Sequence, residues 1–414
     1  MNRDQTYFLL LNIGHFLDHL FMLVFATVAA LALHREWGVS YGELLAYATP
    51  GFFAFGLFSL PAGWLADRWS RDGRMCVFFV GIGITAILTS MAGSPFQVGV
   101  GLFVIGIFAA IYHPVGLAIV SMKWKNTGMR IAMNGVWGNL GVASAALITG
   151  YMIDNGGWRM AFILPGVFSI LTGIAYFILQ RDEIRADGTK DKVTKKEAAA
   201  PLPADYKALL LRVSAIVFLT TAVSSIIFQS TTFALPKMLD ERLQGFAGRL
   251  AEMLEPASAT GQADTATIIG ILAFIVFAVA SIAQLVVGKM LDKHGPKKVF
   301  MTVAGIQIIF FAAMPGLQDG IALAVALGFM LGAFGQIPIN DFMIGKMASG
   351  PARARIYGVR YVVSFTVLAA SLPMIAFVHS NWGFDALFLI LAAAALVILV
   401  AVFTLPKKLP TAPG

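Results

Sequence analysis

Asn12, His15, Asp18 and His19 fall within eight residues of an otherwise apolar segment. At about 100° per residue they share roughly a third of a helix circumference. Ionisable groups at membrane depth are costly to place, so such a cluster faces a bundle interior or a cavity and is a functional candidate by default. A carboxylic acid within a turn of two imidazoles can exchange protons. Asp18 is therefore read as a coupling group, with His15 and His19 as proton partners or substrate contacts. The plain alternative is a hydrogen-bonded group that fixes neighbouring helices. His113, flanked by Tyr112 and Pro114, stands at the end of another apolar run, where it either lines a path or caps a proline kink. With His15, Asp18 and His19 it could form a Zn, Fe or Ni site. Nothing in the spacing requires one, so no resident metal and no cofactor is assigned.

The second half of the chain offers different chemistry. Arg360 lies within an apolar run, about 10 Å from its end at 1.5 Å per residue. Asp341 lies at a similar depth in the run before it. A buried Arg–Asp pair is one reading; a guanidinium that receives a carboxylate or phosphate, tuned by Asp341, is the other. Asn12, Tyr112, His113, Asn134, Trp137, Gln229, Gln336, Asn340 and Tyr361 would supply polar and aromatic lining.

The elements that must position these residues are long apolar helices. The 414 residues are 58% hydrophobic and only 13% charged, against about 25% charged in a soluble domain. A bilayer crossing needs roughly 20 apolar residues. Twelve such runs are expected, at 5–33, 41–66, 75–92, 96–121, 130–154, 158–180, 207–236, 265–291, 298–315, 319–345, 354–379 and 383–405. The first runs on as a full span with polar residues inside it and is read as a retained span.

The net charge of +8 follows topology and not a nucleic-acid partner. Of 30 Lys and Arg, only Arg35, Arg159, Lys237, Arg242 and Arg249 fall on one side, Arg360 lies within a span, and the other 24 share the opposite side with both termini. That side is the cytoplasm by the positive-inside rule. The single Cys76 excludes internal disulfides and is read as a small buried residue.

A repeat organises the chain. Gly63-Trp-Leu-Ala-Asp67-Arg68, followed by Arg71 and Arg74, returns 225 positions later as Gly288-Lys-Met-Leu-Asp292-Lys293. Gly106-Ile-Phe108 is matched by Gly332-Ala-Phe334, and Gly135-Val136 by Gly358-Val359. Offsets of 223–226 imply a duplicated six-helix unit. The expected halves are 1–180 and 207–414, joined by a charged, Pro- and Ala-rich cytoplasmic linker at 181–206. An insertion at about 238–264 carries Leu239, Leu243, Phe246, Leu250, Met253 and Leu254 at helical spacing and reads as a periplasmic amphipathic helix, a strut or a lid.

The two loops resemble the signature of the major facilitator superfamily, over nearly the whole chain. Gly14-His15-Phe16-Leu17-Asp18, Tyr112-His113-Pro114 and Gly138-Asn139-Leu140-Gly141 are similar to its fosmidomycin-resistance-type exporters. The resemblance implies an all-α fold of two pseudo-symmetric bundles and alternating access. It implies a gate in which Asp67, supported by Arg68, Arg71 and Arg74, meets span 11 near Ala352–Arg355. Asp292 with Lys293 would meet span 5 near Gly128–Arg130. It also implies a monomer of the bacterial inner membrane that moves a small molecule against protons. Ala145-Ala146 stands where the antiporter signature places Gly-Pro, so uptake of an organic acid stays as an alternative. Export of a metal or metal chelate is another, and a receptor-like protein that transports nothing a last one. No P-loop, Gly-x-Ser-x-Gly or His-Glu-x-x-His occurs, so neither ATP hydrolysis nor enzymatic catalysis is expected.

Overall fold

The computed structural model describes residues 2–124, 127–187, 204–254, 265–347 and 350–406; within these the side chains of Asp67, Asp341, Arg360 and Tyr361 are among those that lie outside the description. The described elements are all helical. Ten helical spans come first: Arg3–Glu36, Tyr41–Ala66, Arg71–Thr89, Pro95–Lys123, Met129–Gly156, Met160–Arg185, Leu211–Arg242, Thr265–His294, Pro296–Ala313 and Asp319–Asn340. An eleventh apolar stretch, Thr366–Phe403, is interrupted at Gly383, whose φ of 74° breaks the helix, so it supplies spans 11 and 12. Large apolar side chains such as Phe53, Leu57 and Leu60 of span 2, and Phe168, Leu171 and Ile178 of span 6, are exposed. Lipid tails are the solvent for such a surface.

Local signals start the helices where expected. Asn2 and Gln5 close a capping box at span 1, Ser40 accepts from the Glu43 N–H at span 2, and Ser94 with Pro95 opens span 4. Span 1 keeps its helix through a π-helical turn at Ala29–Leu33. The span 7 helix runs on to Arg242, and a separate amphipathic helix, Gln244–Leu254, follows it. Residues 255–264 of the expected insertion, and 188–203 of the expected linker, lie outside the described residues.

Two breaks fall inside spans, in equivalent places. Span 4 breaks at Ala110–Ile111 between helices Pro95–Ala109 and Tyr112–Lys123, and span 10 at Gln336 between Asp319–Gly335 and Ile337–Met347. Pro114 and Pro338 lie just beyond, 224 residues apart. Proline lacks the N–H that would bond four residues back, so each break follows from its proline.

The chain forms two compact units, one of residues 1–193 and 235–277 and one of 194–234 and 278–414. In the first, spans 1 and 5 lie so close that a Cβ on Gly141 would overlap the Phe16 carbonyl. Gly141→Leu is expected to destabilise the protein by about 2 kcal/mol or more. Gly135→Ala, with open space around it, should be neutral or mildly stabilising. Melting of both variants in detergent checks this pair, and equal melting temperatures would contradict the close packing.

Spans 1, 3 and 6 are tied by one carboxylate. The hydroxyls of Tyr7 and Tyr176 both donate to Asp72 Oδ1, at 2.6 and 2.5 Å. Both tyrosines are buried. Asp72→Ala strands two hydroxyls and should cost about 2 kcal/mol. Tyr7→Phe, which leaves the Asp72–Tyr176 bond in place, should cost less in the same melting assay.

Candidate functional site

The break in span 4 places Tyr112 and His113 against span 1. Tyr112 is fully buried; its hydroxyl donates to the Leu11 carbonyl at 2.8 Å and accepts from Asn134 Nδ2 at 2.9 Å. Asn134, on span 5, also donates to Asn12 Oδ1 at 2.9 Å. Three spans thus meet in one polar knot, and its members satisfy one another as buried polar groups require.

The imidazoles sit beside that knot. His15 stacks on Tyr112, with ring centroids 4.8 Å apart. Its Nδ1 lies 2.8 Å from the Asn134 carbonyl oxygen. A carbonyl can only accept, so Nδ1 carries the proton and Nε2 of neutral His15 presents a lone pair. His15 Nε2 is 3.1 Å from His19 Nε2, which therefore donates to it. A Cβ at position 138 would come within 2.7 Å of His15 Nε2, so Gly138 leaves the room this ring uses. The His113 ring stands edge-on to both other imidazoles, at centroid distances of 5.2 and 5.4 Å.

Asp18 completes the cluster and is its anomaly. Its side chain is 1% exposed, and His113 Nε2 approaches Oδ2 to 3.3 Å. That approach is not aligned as a hydrogen bond, and neither carboxylate oxygen has one. A buried carboxylate without a hydrogen bond is costly unless it is protonated or paired with a cation.

The second unit builds a related knot from neutral groups. Gln336, at the span 10 break, donates to the Ser224 carbonyl at 3.0 Å and accepts from Gln307 Nε2 at 3.2 Å. Thr220 donates to Asn340 Oδ1 at 3.4 Å. Gln336 thus holds the place that Tyr112 holds in the first unit.

Most first-half candidates come together: Asn12, His15, Asp18, His19, Tyr112, His113 and Asn134 form one cluster. Trp137 is half-buried on span 5, and Gln229 half-buried on span 7. The side chains of Arg360, Asp341, Tyr361 and Asp67 lie outside the description. In the candidate gate, the Arg68 guanidinium sits 4.0 Å over the Trp64 ring and that of Arg74 5.2 Å over Trp69. Arg71 is half-buried, and Asp292 and Lys293 are exposed.

Residues distant in the sequence form an ionic cluster at one end of spans 1 and 7. Arg35 bonds Asp240 Oδ1 at 2.9 Å, while Lys237 lies 3.0 Å from Asp240 Oδ2 and 3.6 Å from Glu241. Lys237 Nζ also approaches His34 Nε2 to 3.5 Å, and Arg159 pairs with Glu36 at 3.6 Å. Lys237 and Asp240 are both buried. The i, i+3 spacing of Lys237 and Asp240 was the available signal.

Among the described residues, eleven apolar stretches long enough to cross a bilayer, two proline-broken helices and a buried polar knot at each break define a multi-pass membrane protein of the transporter class. The chain belongs to the Major Facilitator Superfamily, whose profile matches residues 11–263 and 256–414. Among curated proteins it is 24% identical over 347 residues to Multidrug resistance protein MdtG of Enterobacter lignolyticus (strain SCF1), covering 83% of this chain and 77% of that protein. It is 23% identical over 339 residues to the protein of that name from Escherichia coli O17:K52:H18, covering 81% and 77%. Its fold is similar to a peptide transporter POT variant in complex with sulfate, with a TM-score of 0.72, 14% identity and 97% of both chains covered. It is also similar to a bacterial homolog of the human lysosomal transporter Spinster, with a TM-score of 0.68, 14% identity and both chains covered fully.

Proposed function

We propose that this transporter is a monomeric secondary exporter of small organic compounds, anionic or amphipathic, working by alternating access in the bacterial inner membrane with both termini cytoplasmic. Relatives that bear a multidrug-resistance name support the direction and the substrate class. In this reading 1–180 and 207–414 are the moving halves, and the helix Gln244–Leu254 lies on the periplasmic side. Asp67 with Arg68, Arg71 and Arg74, and Asp292 with Lys293, form the cytoplasmic gate.

The observation that carries coupling is Asp18: a carboxylate 1% exposed, without a hydrogen bond, inside a membrane span and 3.3 Å from His113. The coupling cation is a proton, held by Asp18 in one access state and released in the other, with His15 and His19 alongside. Asn12, Tyr112, His113, Asn134 and Trp137 line the substrate path from the first half. Gln229, Gln336, Asn340, Asp341, Arg360 and Tyr361 line it from the second, with Arg360 favouring negative charge.

Expression in an efflux-deficient bacterium tests the reading. Resistance to at least one amphipathic compound should rise, and that compound should raise the melting temperature of the purified protein. Unchanged resistance across a panel of compounds that do stabilise the protein would overturn export.

A further inference from the structure

The grouping of three imidazoles has a consequence that export of organic compounds does not need. We infer that His15, His19 and His113 form a binding site for one divalent late transition-metal ion of the Zn2+, Ni2+ or Cu2+ type, with Asp18 as its carboxylate neighbour, bridging spans 1 and 4. One ligand nitrogen from each histidine falls within 4.8 Å of the other two. Nitrogens around a tetrahedral ion at about 2.05 Å stand about 3.4 Å apart. The His15–His19 pair, at 3.1 Å, already has that spacing once the His19 ring proton moves to Nδ1 and leaves Nε2 free, and closure of the widest separation by about 1.4 Å completes it.

Three features separate this from a chance grouping of rings. His15 and His19 are four residues apart on one helix, a spacing that turns both imidazoles to a common point. His15 donates its other ring nitrogen to the Asn134 carbonyl, the outer contact that fixes the tautomer and aims the lone pair of a metal-binding histidine. Asp18, buried and without a hydrogen bond at either oxygen, brings a negative charge that offsets part of a dication's charge. His113 contacts Asp18 as well as both other rings, so Asp18 serves as a fourth ligand or as the carboxylate that orients His113. Neutral imidazoles with one carboxylate select late transition metals over Mg2+ and Ca2+, which take sets of oxygen ligands.

The inference stands apart from the export reading, because binding is measured without transport. Full-length protein without a histidine tag, stripped by chelator and held in detergent, is titrated with Zn2+ by calorimetry. One Zn2+ per chain is expected, with Mg2+ failing to compete. Asp18→Asn should weaken binding about 10- to 100-fold. His15→Ala, His19→Ala and His113→Ala should each weaken it at least as much, and the exposed His294→Ala should leave it unchanged. Should the histidine variants fail to fold, pulsed paramagnetic resonance of Cu2+ on the unmodified protein counts imidazole ligands at the bound ion. Two or three imidazoles support the site. No Zn2+ binding, binding unchanged in folded histidine variants, or Cu2+ with one imidazole or none would overturn it.

Discussion

Asp18→Asn is expected to abolish uphill export while leaving downhill exchange of the same compound in place. In the proposed cycle one proton enters for each neutral molecule expelled. That charge is worth about 2.3 kcal/mol per 100 mV, which corresponds to roughly a 50-fold concentration ratio. Asparagine keeps the side-chain shape but cannot carry a proton across. The variant should therefore still equilibrate compound between two compartments and should lose about that 50-fold concentrating power at 100 mV. The comparison requires purified protein in liposomes, with membrane potential imposed and then collapsed. Concentrating power equal to that of the unmodified protein would remove Asp18 from the coupling role. Loss of exchange as well as of coupling would mark a structural carboxylate.

The second large effect is on stability. Asp240→Ala should destabilise the protein by about 3 kcal/mol, because Lys237 is 7% exposed and loses its 3.0 Å partner while staying buried. Glu241, at 3.6 Å from Lys237, is more exposed and offsets only part of that loss. Arg35, with a side chain 55% exposed, can turn to water when its partner goes, so its share of the cost is small. A Lys237→Met, Asp240→Ala double variant should recover much of the stability, since no uncompensated charge then stays buried. Melting of the three proteins in detergent decides this. A double variant as unstable as Asp240→Ala alone would show that packing of the span 7 helix, not the ion pair, carries the effect.

The fold was legible because lipid imposes a simple code. Each crossing needs an uninterrupted apolar run, and a duplicated chain repeats its loop residues at a fixed offset. The bounds moved by a few residues, mostly where helices continue past the apolar core, as span 7 does through Arg242. The span 1 part of the site was legible for a similar reason. Asn12, His15, Asp18 and His19 share a helix face by arithmetic alone, before any packing is known.

What joined that face to other spans was not legible. The approach of His113 depends on how far span 4 bends at Ala110–Ile111, which is a matter of packing. The partner of His15 Nδ1 is a backbone carbonyl, that of Asn134, and a carbonyl has no sequence signature. Ser224 joins the second knot through its carbonyl in the same way. Gln307 carries no such signal, because a lone glutamine in an apolar run says nothing about its neighbours. In the sequence Arg35 and Lys237 read only as topological charges; Arg35 and Asp240 are 205 residues apart, and only the fold brings them together. Tyr7, Asp72 and Tyr176 are likewise each unremarkable on their own helices, and only packing joins them.

Proton-coupled export ties proton movement to compound movement in a fixed ratio. The unmodified protein is reconstituted into liposomes that enclose a pH-sensitive dye, at zero membrane potential. A compound that stabilises the purified protein is then loaded inside and diluted outside. Outward flow of the compound should drive protons inward and acidify the lumen, in fixed proportion to the compound released. Compound release with no change in luminal pH would contradict proton-coupled export by this protein.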